Sequence, residues 1–249
     1  MNTMKNTLLF ILLICSSCTV QRINKSLIKS DVFDKGHLGF MLVDPDKDKV
    51  LVDINFIPAS NTKLFTFYTS YTILGDSLIN GLNYLEKGDS LIFWGTGDPS
   101  LLHPDLKNTV ALDFLKNQNR KLYLLDNFDQ VDAFGSGWSW DWYNSYYAAE
   151  RSALPVYGDI VRFAKSEGDS TFTVYPPRFE SSMQLTEPRG SSSSSFRREH
   201  LENKFSYFVT SEATDKRFET DVPFITSVDF AAKLLSEELG KDVTVILAP

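Results

Sequence analysis

Both cysteines of this chain, Cys15 and Cys18, lie within its first 18 residues. Everything beyond residue 18 must hold its shape without a disulfide and without a cysteine-based metal site. Burial has to do that work, and the composition suits it: 249 residues, 43% hydrophobic and 13% aromatic. That length allows one large domain or two smaller ones, each able to bury a sizeable core. The formal net charge is −7 and no basic stripe occurs, which argues against nucleic-acid binding. No cofactor is expected. The three histidines, His37, His103 and His200, form no His-Glu-x-x-His pair and have no cysteine partner, so each reads as a surface or capping residue rather than a zinc ligand.

The amino terminus carries an address. Lys5 is followed by the apolar run Leu8–Ile14 and then by Cys15-Ser16-Ser17-Cys18. A short basic region, a brief apolar core and small residues make an export signal that is too short to be a permanent membrane helix. Its end resembles a bacterial lipobox, with Cys18 as the lipidated first residue of the mature protein. Cys15 departs from the aliphatic residue more usual there, and an ordinary cleaved signal is the alternative. Residues 1–18 are thus expected to be a lipoprotein signal peptide and polar residues 19–36 a tether. The protein is expected to be exported and periplasmic, held at the membrane by a lipid anchor.

His37–Val43 reads as a strand, Asp44–Asp48 as a turn and Val50–Ile54 as a return strand. The hairpin leads into Pro58-Ala59-Ser60-Asn61-Thr62-Lys63. From Lys63 to Leu74, apolar residues at Leu64, Phe65, Tyr68, Tyr71 and Leu74 keep close to helical period, with Gly75 as a stop. If the helix opens near Ser60, then Ser60 and Lys63 share a face about 5–6 Å apart at Cβ. Serine is a poor nucleophile without an adjacent base, and a lysine kept neutral by its surroundings can be that base. Ser26-Leu27-Ile28-Lys29 has the same spacing but sits in a polar stretch behind the signal, and it reads as chance.

Further along, Leu91–Trp94 reads as a strand running into the turn chemistry of Gly95-Thr96-Gly97-Asp98-Pro99. These glycines lack the context of a dinucleotide fingerprint, and no Gly-Lys-Ser/Thr follows to make a phosphate loop. Residues 109–116 suggest a short helix and Lys121–Leu125 another strand. Trp138, Trp140 and Trp142 read as a core or interdomain aromatic cluster in preference to a ligand platform. Ser191–Ser195 reads as a flexible loop. Val228–Leu239 has helical period with Gly240 as its cap, and Val243–Leu247 begins a strand-like run.

In their order, these landmarks resemble the penicillin-binding-protein-4-like D-alanyl-D-alanine carboxypeptidases, peptidase family S13. Pro58–Leu64 resembles that family's nucleophile motif and Gly97-Asp98-Pro99-Ser100-Leu101 its Gly-Asp-Pro-x-Leu signature. Gly137-Trp138-Ser139-Trp140-Asp141 with Ser152-Ala153-Leu154-Pro155-Val156-Tyr157 resembles its Gly-Trp…Ser-Ala-Leu stretch. The resemblance implies an α/β fold, a penicillin-recognising (β-lactamase/transpeptidase-like) domain interrupted by an inserted domain. Residues 37–75 would begin the catalytic domain, 76–220 form the insertion and 221–249 return to the catalytic domain incompletely. It implies Ser60 as nucleophile and Lys63 as general base, acting on peptidoglycan stem peptides ending in D-Ala-D-Ala and acylated by β-lactams.

The family's Ser-x-Asn and Lys-Thr-Gly motifs do not occur in this chain. The expectation is an enzyme truncated at its carboxyl end and inactive as these 249 residues. Alternatives are a noncatalytic, surface-anchored peptidoglycan-binding protein on the same scaffold and a class A, C or D β-lactamase. A Ser-His-Asp hydrolase is disfavoured, since no Gly-x-Ser-x-Gly elbow accompanies a histidine.

Overall fold

The computed structural model describes residues 20–23, 25–27, 29–31, 36, 38–54, 57–77, 79–128, 131–169, 171–186, 195–208 and 217–247. Cys15, Cys18, His37 and serines 191–194 lie outside the described residues. The chain divides into two units, Met1–Leu78 and Ile79–Pro249.

In the first unit, β1 (Phe40–Asp44) and β2 (Lys49–Ile54) pair antiparallel, with a register shift between Leu42 and Val43. Asp44 folds the turn back on itself. Its carboxylate accepts from the Asp46 N–H at 3.2 Å and meets Lys47 at 3.3 Å. Helix α1 (Thr62–Leu74) follows and ends at Gly75, whose φ of 59° suits glycine and whose N–H donates to the Tyr71 carbonyl. Within α1, Phe67 and Tyr71 stack one turn apart. No residue of α1 is buried. Among the described residues of this unit, Val52 is the one buried hydrophobic side chain.

The second unit is built differently. A four-stranded sheet runs in the order β12-β5-β4-β3. Strand β3 (Leu82–Lys87) pairs antiparallel with β4 (Ser90–Gly95). From β4 the chain crosses through α2 (Val110–Lys116) to the parallel β5 (Lys121–Asp126). In β4 every second residue is buried, and Leu91 and Phe93 point into the core with Leu122 and Leu124 of β5.

Two small sheets are inserted after β5. In one, β6 (Ile160–Lys165) lies between β7 (Thr173–Tyr175) and β11 (Phe218–Pro223), antiparallel to both. In the other, β10 (Phe205–Phe208) lies between the parallel β8 (Met183–Leu185) and the antiparallel β9 (Ser195–Arg198). Phenylalanines join them: Phe163 of β6 stacks on Phe196 of β9 at 4.1 Å between centroids and meets Phe205 of β10 at 5.3 Å. Helix α3 (Val228–Leu239) then returns the chain to β12 (Val243–Leu247), which completes the first sheet beside β5.

Helix α3 shows how local sequence and packing agree. The Ser227 hydroxyl accepts from the Phe230 N–H at its start, and Gly240 in the left-handed region ends it. Between the caps, Val228, Ala231, Ala232, Leu234, Leu235 and Leu239 are buried as one stripe. The described part of residues 221–249 packs within the second unit. β11 pairs with β6, β12 pairs with β5, and α3 packs in the same core, so these segments are integral to the second unit.

Candidate functional site

Ser60 sits in a tight turn that winds directly into α1. The N–H groups of Thr62, Lys63 and Leu64 donate to the carbonyls of Ala59, Ser60 and Asn61 at 3.1, 3.0 and 3.0 Å. Three successive bonds of this span make a 3-10 entry, in which residues three apart eclipse one another. Ser60 and Lys63 are such a pair, so their backbone positions bring both side chains to one side of the chain. The Thr62 hydroxyl locks the entry by donating to the Ala59 carbonyl at 2.8 Å. Asn61 stands at the cap position without a side-chain cap bond.

This geometry sets the two backbones one turn apart without joining the side chains. Ser60 and Lys63 are both exposed, and among the described residues no hydrogen bond links Ser60 Oγ to Lys63 Nζ. The N–H groups of Thr62, Lys63 and Leu64 are engaged by the turn. Of the amides at the helix start, those of Ser60 and Asn61 have no backbone acceptor among the described residues. No group of three or more His, Cys, Asp or Glu among the described residues could hold a metal ion.

The two downstream signatures meet each other in the second unit. The Gly97 N–H donates to the Ala153 carbonyl at 2.7 Å, and the Tyr157 N–H to the Leu101 carbonyl at 2.9 Å. Gly95 is pressed so closely against this segment that a Cβ would lie 2.0 Å from the Ala153 oxygen. Asp98 closes an Asx turn by accepting from the Ser100 N–H at 2.9 Å, while Leu101, Leu154 and Val156 enter the core. These residues clamp β4 to the 152–157 segment.

Behind the clamp lies a buried polar cluster that the sequence does not announce. Asp159 is almost wholly buried; one carboxylate oxygen accepts from the Ser152 hydroxyl at 2.8 Å, and the other has no hydrogen-bond partner. Burial pushes its pKa up to about 7, against the pull of the Ser152 hydroxyl, and the nearby Glu150 carboxylate adds to the rise. Glu150 is itself raised by burial while accepting from the Thr226 N–H at 3.0 Å. Positive φ at Tyr157, Gly158 and Asp159 turns the chain inward here. One glycine in that triplet is the only local hint, and it says nothing of burial.

Nearby, Arg162 holds Asp105 and Asp221 together, with contacts of 2.6 and 2.7 Å that keep the Asp105 carboxyl below its usual range. Two of the histidines are described. His103 caps a turn through Nδ1, which accepts from the Asp105 N–H, and His200 is an exposed residue edge-on to Tyr143.

The three tryptophans that read as a core or interdomain cluster are unequal: Trp138 is half-buried and meets Phe134 edge-on. Trp140 is 80% exposed and Trp142 42%, carried on a 3-10 turn at Trp140–Asn144. The short turn packs no face of its own against the core.

By sequence, no curated protein matches this chain significantly. By structure it resembles penicillin-binding protein 4 (dacB) from Haemophilus influenzae, at 18% identity and a TM-score of 0.57, over 84% of this chain and 52% of that one. A second structure of that protein, complexed with a novel β-lactam, aligns at 16% identity and a TM-score of 0.48, over 84% and 50% of the respective chains. The first likeness establishes the mixed α/β fold, and the chain spans about half the length of the solved structures it matches. The D-Ala-D-Ala carboxypeptidase 3 (S13) family matches residues 20–207, which contain Ser60, Lys63 and both downstream signatures, and the chain belongs to that family.

Proposed function

We propose that this protein works on peptidoglycan stem peptides ending in D-Ala-D-Ala, through an acyl-enzyme formed on Ser60. What supports the reading is that the Lys63 N–H bonds the Ser60 carbonyl, closing a single turn between the two residues within the family-matched region. In the proposed reaction Lys63 Nζ, unprotonated, takes the Ser60 hydroxyl proton as Oγ bonds to the carbonyl carbon of the penultimate D-Ala. The C–N bond to the terminal D-Ala breaks, and that nitrogen takes the proton and leaves as free D-Ala. Water then adds to the ester, releasing the shortened peptide and restoring the Ser60 hydroxyl. A β-lactam ring opens on Ser60 by the same attack.

The described residues supply this chemistry only in part. A lysine serves as base when its surroundings disfavour its charge, and Lys63 here is exposed on a helix with no buried residue. The 249-residue chain by itself is therefore proposed to be inactive. Its exposed, unlinked Ser60 and Lys63 equally suit a noncatalytic peptidoglycan-binding protein. A fluorescent penicillin separates the two readings, applied to the 249-residue chain and to the chain extended by any sequence encoded directly after residue 249. A Ser60 adduct in the extended protein, lost in Ser60→Ala, is expected, with little labelling of the shorter chain. Peptide binding without any adduct would leave the noncatalytic reading standing, and stoichiometric labelling of the 249-residue chain would overturn the proposal that its site is incomplete.

Export to the periplasm and lipidation at Cys18 complete the proposal. No helix among the described residues is long and apolar enough to cross a membrane. Membrane fractionation tests the anchor: Cys18→Ala should move the protein into the soluble fraction, and unchanged membrane retention would refute lipidation there.

A further inference from the structure

Residues 135–149 read Gly-Ser-Gly-Trp-Ser-Trp-Asp-Trp-Tyr-Asn-Ser-Tyr-Tyr-Ala-Ala, with no Leu, Ile, Val or Met and with Asp141 as the one charged residue. Trp and Tyr offer wide, stiff contact area at low entropy cost, and Ser, Gly and Asn offer adaptable hydrogen bonds; binding loops are built from this mixture. The rings are displayed rather than buried: Tyr146 is 66% and Tyr147 60% exposed, and Trp140, which stands edge-on to His200, is barer still. They stand edge to face, Trp142 against Tyr147 at 5.8 Å and Tyr147 against Tyr146 at 5.5 Å, so neighbouring rings fix one another's orientation.

The turn that carries them is anchored from below. Arg198, buried in β9, donates its backbone N–H to Asn144 Oδ1 at 2.7 Å and its Nε–H to the Pro223 carbonyl at 2.9 Å. Its guanidinium lies 5.3 Å from the Tyr143 ring centroid. A displayed aromatic surface on a pinned turn is preorganised for a ligand.

We propose that this face binds a neutral oligosaccharide. A pyranose turns a row of C–H bonds toward the electron-rich face of an aromatic ring, while its hydroxyl and N-acetyl groups reach the indole N–H, tyrosine O–H and serine groups around it. Asp141 is the one charged residue of the segment, His200 stands edge-on to the Trp140 and Tyr143 rings and Arg198 is buried against Tyr143, so no cluster of exposed cations is offered to a carboxylate-bearing peptide. The lack of aliphatic side chains argues against an apolar helix. The choice of β-1,4-linked N-acetylhexosamine, though not the aromatic face itself, rests on the peptidoglycan reading above. By this account the second unit holds the sugar strand that carries the stem peptides.

Chitotetraose, the β-1,4-linked tetramer of N-acetylglucosamine, is the probe, titrated into the protein with tryptophan fluorescence and calorimetry as readouts. Saturable quenching is expected, weakened roughly three- to tenfold by Trp140→Ala and separately by Tyr146→Ala. Both side chains are exposed, and matching circular dichroism and melting temperatures confirm that the variants fold. No binding at millimolar sugar, or equal affinity in the double variant, would overturn the proposal. So would concentration-dependent dimerisation, or binding to phosphatidylglycerol vesicles, abolished by Trp140→Ala, because the face would then belong to a second copy or to lipid. The titration needs no reaction at Ser60, so failure of penicillin labelling and failure of sugar binding are separate results.

Discussion

Helices α1 and α3 are nearly equal in length, at 13 and 12 residues, and opposite in kind. Helix α3 has one apolar stripe, a hydroxyl cap and a glycine stop, and its stripe is buried against its own sheet. Helix α1 carries Leu64, Phe65, Phe67, Tyr68, Tyr71, Ile73 and Leu74 around its circumference, and all are exposed. A helix that is apolar all round belongs inside a core. The contrast teaches that α1 has the sequence of an enclosed helix, while the described residues supply no enclosure. Ser60 and Lys63 lie at its entry, so the element bearing the proposed chemistry is also the least supported.

Substitution tests that contrast most severely. Leu235→Ala in α3 removes a fully buried side chain and should cost about 2–5 kcal/mol in chemical denaturation, whereas Leu64→Ala in α1 should cost under about 0.5 kcal/mol. A comparable loss at Leu64 would show that α1 is covered in solution. If labelling by penicillin appears in an extended protein, the same Leu64→Ala should become costly there.

The next effect is a pH dependence confined to the second unit. Asp159 has an ordinary pKa of 3.8 and is raised to about 7 in the fold. Its contribution is fully present below the unfolded value and is lost as pH rises through the folded one, because the unfolded chain gives up the proton first. Stability should therefore fall by a few kcal/mol between about pH 4 and pH 7 and then level off at this site. Glu150, also raised, acts in the same sense, while Asp105, lowered by Arg162, acts in the opposite sense. The difference between the wild type and Asp159→Asn across that range isolates the group. Parallel pH curves for the two proteins would show that Asp159 is ionised in the fold.

The smallest effect lies at the helix starts. Ser227→Ala removes the cap of α3 and should cost about 1 kcal/mol. Asn61→Ala at the uncapped start of α1 should change urea midpoints very little. A loss at Asn61 as large as at Ser227 would mean that the α1 entry is capped in solution.

Much of this was legible beforehand where the signal is local. Val228–Leu239 with Gly240, the short helix near 110–116, the strands at 91–94 and 121–125 and the hairpin before Ser60 all follow from periodicity and turn residues. Strands β6–β11 were not legible. Several are only three or four residues long, and their pairing joins segments far apart, as with Phe218 opposite Lys165. The Ser60–Lys63 spacing was readable because it is a property of one turn, whereas the Asp159 cluster draws on Glu150, Ser152 and Thr226 from separate segments.

The sequence by itself determined the hairpin before Ser60, helices α1 to α3, strands β4 and β5, the glycine stops and the family, since each depends on residues two to four apart or on motifs in order. Only the tertiary structure decided that residues 218–247 pack in the second unit, that Trp140 faces outward, that Asp159 is buried and that no residue of α1 is buried among the described residues. Those outcomes depend on which distant segments meet. Burial is a relation between segments, and no window along the chain contains it.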